Sequence, residues 1–96
     1  MNPKSLLKKN ELVQRFKEGF NLQQMGLLER AKDSYLQVLK TDPKHFDAMH
    51  LLGVLEHQLG RSDQGFILIT KAIQINPSDG AAYCNLGNVL CDLGRH

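Results

Sequence analysis

Long apolar runs are missing from this 96-residue chain: no uninterrupted stretch exceeds four residues, as in Phe66-Ile67-Leu68-Ile69. A helix that crosses a bilayer needs about 20 apolar residues, so no membrane segment is expected. After Met1 the chain continues Asn-Pro-Lys-Ser-Leu-Leu-Lys-Lys, with two apolar residues where a secretory signal needs about 7 to 15. A cytoplasmic location is therefore expected. Cysteine is scarce as well. Cys84 and Cys91 stand seven apart, about 10 Å along one helix at 1.5 Å per residue, too far to bridge. A disulfide framework is excluded.

Charge of one sign is also lacking. Twelve Lys and Arg against ten Asp and Glu leave a formal net charge of +2. The only basic cluster, Lys4, Lys8 and Lys9, has no interleaved aromatics, so neither nucleic acid nor an acidic membrane is implied as partner. Chemistry-bearing motifs are absent: there is no H-E-x-x-H, C-x-x-C, G-x-S-x-G or phosphate-binding Gly-rich loop. No catalytic residues, metal ligands or cofactors are expected, and the segment reads as a non-enzyme. What remains, 42% apolar and 23% charged residues, is the composition of an ordinary globular protein.

The chain does contain a strong internal repeat. Gly19, Gly53 and Gly87 recur at intervals of 34 residues, as do Gly26, Gly60 and Gly94, and Pro43 is followed 34 residues later by Pro77. Around these marks, Leu12, Phe16, Phe20 and Leu22 fall at near-helical spacing, and so do Leu28, Ala31, Tyr35, Val38 and Leu39. Gly26, Gly60 and Gly94 lie where a left-handed residue ends a helix. Asp42-Pro43 and Asn76-Pro77 stop the second helix of each unit, and Ser78 or Asp79 can cap the next. Helices are predicted at roughly 4–24, 27–40, 45–58, 62–75 and 79–93.

A 34-residue period with small residues at these places resembles the tetratricopeptide repeat, whose pattern is W-x2-L-G-x2-Y, then A-x3-F, then P. Residues 46–79 match with Met49, Leu52, Gly53, Gly65, Ile69, Ala72 and Pro77. Residues 12–45 match with Gly19, Leu22, Ala31, Tyr35 and Pro43, and residues 80–96 with Tyr83, Leu86, Gly87, Leu90 and Gly94. The resemblance implies an all-α fold, a right-handed α-α superhelix of about five antiparallel helices. Residues 1–11 then extend the first helix, 12–45 and 46–79 are two full repeats, and 80–96 is the first helix of an incomplete third. Arg15, Glu18, Val38 and Glu56 depart from the pattern, and Glu56 stands where an aromatic is expected. The mid-helix glycines cost about 1 kcal/mol each relative to alanine, a cost that close approach of the paired helix, at Ala31 or Gly65, would offset.

By the same resemblance the concave face carries the binding positions. These are Val13, Phe16, Phe20, Gln23 and Gln24, then Asp47, His50, Val54, His57 and Gln58, then Ala81, Cys84, Asn85, Asn88, Cys91 and Asp92. Phe16 and Phe20 either anchor an apolar side chain of the ligand or belong to the core, whereas Gln, His and Asn suit an extended peptide backbone. His50 and His57 share their register with Cys84 and Cys91. The pairs are about 10 Å apart along each helix, which argues against one tetrahedral zinc site. Some members of the family clamp a terminal carboxylate. The corresponding positions here are Phe16, Phe20, Leu51, Ala81 and Asn85, and only Asn85 is polar in the required sense. The function expected is a scaffold that holds another protein or peptide segment. Two alternatives stand beside it: the N-terminal repeat region of a larger transferase, of O-linked N-acetylglucosamine or sulfotransferase type, and a homodimer through helix 79–93.

Overall fold

Glycine marks the turn inside each complete hairpin. Gly26 and Gly60 have φ of 80° and 86°, a backbone conformation open to glycine at little steric cost. At both turns the residue after the glycine donates its N–H to a carbonyl five residues back, Leu27 to Leu22 at 2.9 Å and Arg61 to Glu56 at 2.8 Å. These bonds satisfy carbonyls that the ending helix would otherwise leave unpaired. The computed structural model describes residues 7–94. It contains α1 (Lys9–Gln24), α2 (Leu28–Thr41), α3 (Phe46–Gln58), α4 (Ser62–Ile75) and α5 (Gly80–Asp92). Among the described residues no strand occurs, and no helix is long and apolar enough to cross a membrane.

The first helix starts later than its predicted beginning at residue 4. Residues 4–6 lie outside those described, Lys8 is extended, and its N–H donates to Glu11 Oε1 at 3.0 Å. Of the two predicted caps for α5, Asp79 serves, accepting from the Ala82 N–H at 3.0 Å. The equivalent cap of α3 is one the sequence did not suggest: His45 Nδ1 accepts from the Ala48 N–H at 3.1 Å, which requires that nitrogen to be unprotonated.

α1 pairs with α2 and α3 with α4, and α2·α3 and α4·α5 contacts join successive units into an all-α solenoid. Ala31, Tyr35, Val38, Ala48, Leu52 and Leu55 form the core where the two hairpins meet, and Ile69, Ala72, Ala82 and Val89 are also buried. The mid-helix glycines have the predicted steric role in both complete hairpins. A Cβ on Gly53 would lie 2.7 Å from Ile69 Cγ1, and one on Gly65 would lie 2.8 Å from the Gly53 carbonyl oxygen. In the first hairpin the occluding atoms belong to Tyr35, at 2.8 Å from a Cβ on Gly19, and to Ser34, not to Ala31. A Cβ on Gly87 would meet nothing within 4 Å.

Glu56, out of place in the repeat pattern, is accommodated by charge. Its carboxylate is only 9% exposed and accepts from Lys32 Nζ at 3.2 Å, Arg61 Nε at 3.1 Å and Arg61 Nη2 at 2.8 Å. It thereby ties α2 to α3 and to the turn after it. Burial pushes its pKa up, but the hydrogen bonds from Arg61 and Lys32 outweigh burial and hold it below the usual glutamate value.

Two predictions follow from these contacts. Urea unfolding should show Gly65→Ala destabilised by about 1–3 kcal/mol through overpacking. Gly87→Ala should instead gain up to about 1 kcal/mol from helix propensity, with nothing to clash against. Glu56 has a folded pKa below its unfolded one, so its contribution is present above about pH 4.3 and is lost as pH falls through the folded value. Thermal melts of Glu56→Gln should therefore be about 1–3 kcal/mol less stable than the parent at pH 7 and should converge on it as pH falls through the folded value.

Candidate functional site

Residues 34 apart occupy equivalent places in successive repeats, but residues 35 apart face one another across the groove between the first helices. Gln23 Nε2 donates to Gln58 Oε1 at 2.7 Å, Asn85 Nδ2 lies 2.8 Å from His50 Nε2, and His57 Nε2 lies 3.2 Å from Asp92 Oδ2. Each bridge joins one repeat to the next. Gln23 is fully engaged, since its Oε1 also accepts from the buried Tyr35 hydroxyl at 2.6 Å, whose pKa burial raises. His57 Nδ1 also meets Ser62 Oγ at 3.0 Å. An amide nitrogen can only donate, so the His50–Asn85 bond requires an unprotonated Nε2 on His50.

These bridges divide the sequence-predicted positions into two groups. Phe16 is half-buried, its ring centroid 5.9 Å from that of Tyr35 and 5.3 Å from that of His45, so of its two expected roles it takes core packing. Gln23 and His50 are buried, and Gln58 is held by Gln23. By contrast Val13, Phe20, Gln24, Asp47, Ala81, Cys84, Asn88, Cys91 and Asp92 are exposed, and Val54, His57 and Asn85 are half-buried.

Six of the predicted residues do converge. Val54, His57, Asn85, Asn88, Cys91 and Asp92, together with Val89, line a depression of about 400 Å³ between α3 and α5. Val89 at its floor and Ser62 behind His57 were not singled out by sequence. Ser62 read only as a helix start. The depression offers a short apolar floor, two carboxamides, an imidazole and a carboxylate. Asp92 and Asp47 are acidic, and no candidate position carries Lys or Arg. His50, His57, Cys84 and Cys91 do not gather on one point: the histidines are bonded to Asn85, Ser62 and Asp92, and both thiols are free and exposed. Among the described residues no three His, Cys, Asp or Glu side chains are placed to hold a metal ion.

Burial lowers the His50 pKa, and the neighbouring Asp79 and Asp47 carboxylates offset this only in part. Because the unfolded chain binds a proton more readily, stability from neutral His50 is present above about pH 6.5 and declines as pH falls through that value toward the folded one. In an NMR titration the His50 ring protons should show a midpoint below 6.5. Asn85→Leu should shift that midpoint, since it removes the amide donor from Nε2.

Comparison with known proteins agrees with this architecture. The Tetratricopeptide repeat family matches residues 16–45 and 46–79, and a second profile of the same family matches residues 68–96. Tetratricopeptide repeat protein 7B of Homo sapiens is 31% identical over 65 residues, covering 68% of this chain but 8% of that protein. A solved structure of a MamA mutant superposes with a TM-score of 0.80 at 22% identity, over 93% of this chain and 64% of that one. With matches over both complete hairpins and the same helical arrangement in a solved fold, the chain belongs to the tetratricopeptide repeat family.

Proposed function

We propose that the chain is a protein-interaction scaffold and that the depression between α3 and α5 receives an extended segment of a partner protein. The observation that carries this reading is the convergence of Asn85, Asn88 and Asp92 around Val54 in one open depression of about 400 Å³. Carboxamides both donate and accept hydrogen bonds and so match the alternating groups of an extended backbone. The exposed acids Asp47 and Asp92, with no basic residue among the candidate positions, favour a neutral or basic segment over an acidic one. The bridges Gln23–Gln58, His50–Asn85 and His57–Asp92 hold the first helices at fixed separation, so less ordering is needed on binding. Phe20, exposed on α1 at the register of Val54, extends the apolar part of this face.

A second reading, self-association through Gly80–Asp92, is favoured by the same helix. Tyr83 is 49% exposed and the surface over Gly87 is open, whereas the matching glycines of α1 and α3 are covered.

Capture of partners on the immobilised chain, with identification by mass spectrometry, tests the first reading. Asn88→Arg should remove at least 90% of a captured partner, about 1.4 kcal/mol, without lowering the melting temperature. Cys91 in the complex should also be alkylated more slowly than Cys91 in the free chain. Retained capture with unprotected Cys91 would place binding elsewhere. Sedimentation velocity across a hundredfold concentration range separates the second reading, for which Gly87→Arg should abolish any dimer.

A further inference from the structure

A second depression lies away from the groove, where the connection from α2 to α3 meets the end of α4. It encloses about 580 Å³ and is lined by Pro43, Lys44, Met49, Lys71, Gln74 and Ile75. None of these residues belongs to the depression between α3 and α5.

Its floor is apolar and soft. Met49 holds the register that the repeat pattern gives to tryptophan and that Tyr83 holds in the third copy. A methionine side chain is narrower than an indole and readily changes shape, a property used at surfaces that accept varied apolar ligands. Pro43 and Ile75, the latter 37% exposed, add apolar surface.

The rim is positive. Lys44 and Lys71 are exposed on different elements, and neither ammonium pairs with a carboxylate among the described residues. The carboxylate nearest in sequence, Asp42, accepts the Lys44 backbone N–H at 3.2 Å. Lys32, by contrast, is held by Glu56. Two unpaired cations flanking an apolar hollow complement a segment that is acidic with one large apolar side chain.

We infer that this depression is a second docking site, which takes an acidic partner segment by seating an aromatic side chain on Met49 between Lys44 and Lys71. Its charge preference is opposite to that of the groove, so one solenoid can hold two dissimilar segments on separate surfaces.

Fluorescence anisotropy with the full chain tests this, using a labelled peptide with one Trp flanked by glutamates. The control peptides carry Lys flanks, or Ala in place of Trp. The Glu-flanked Trp peptide should bind at least tenfold more tightly than either control. Lys44→Glu combined with Lys71→Glu should weaken it at least tenfold, Met49→Trp should fill the hollow with a similar loss, and Asn88→Arg should leave it unchanged. Circular dichroism melts check that each variant folds. If Met49→Trp does not fold, the lysine variant decides, because both side chains are exposed. Equal binding of the Lys-flanked peptide, binding unaffected by the lysine reversal, or no binding at millimolar peptide would overturn the inference. Loss of binding in Asn88→Arg would move the acidic peptide to the groove and overturn it equally.

Discussion

The contact on which the rest depends is the approach of two backbones at Gly53 and Gly65. A Cβ on Gly65 would stand 2.8 Å from the Gly53 carbonyl oxygen, and one on Gly53 2.7 Å from Ile69, so α3 and α4 come closer than side chains at these positions would permit. Close-packed interiors tolerate little change in volume, and this approach fixes how far apart the helices of a hairpin lie. The depression between α3 and α5 borders this contact, since Val54 directly follows Gly53 and a Cβ on Gly65 would stand 3.3 Å from His57 Cβ.

Stacking one hairpin on the next adds a second constraint of a different kind. The apolar core of Ala31, Tyr35, Val38, Ala48, Leu52 and Leu55 joins the first two hairpins, but apolar contact is not directional. Direction comes from polar bridges that cross between units: Glu56 to Lys32, Gln23 to Gln58, and His50 to Asn85. Buried polar groups are costly unless satisfied, so these pairs penalise any stacking that separates them. Asn85, one of these bridging side chains, also lines the depression between α3 and α5.

Charge is distributed unevenly around this frame. The chain as a whole is close to neutral, yet the groove positions carry acids and the depression at Met49 carries lysines. Net charge alone would have suggested indifference to charged partners. Only the placement of residues on separate helices and faces sets these acidic and basic positions apart, because side-chain interactions between surface charges fade within about a Debye length of 10 Å.

The helices were largely legible because their signals are local. A glycine in a left-handed turn, a proline after a helix and apolar residues at helical spacing act within a few residues, so four of the five helices begin and end within a residue or so of their predicted limits. The exception, α1, begins at Lys9, with Lys8 already extended, and nothing in the local pattern marked that boundary. Tertiary structure decided the roles of individual polar residues. Glu56 looked misplaced because Lys32, 24 residues away in sequence, reaches it only through stacking. Phe16 and Phe20 looked alike in sequence, yet one rests against Tyr35 and His45 while the other is exposed. The 35-residue bridges do not follow from the 34-residue period, because facing positions depend on how neighbouring helices are offset, which periodicity does not encode. Repetition determined the fold, whose forces act along the chain. The groove was decided by forces acting between helices, which depend on distances that no linear pattern contains.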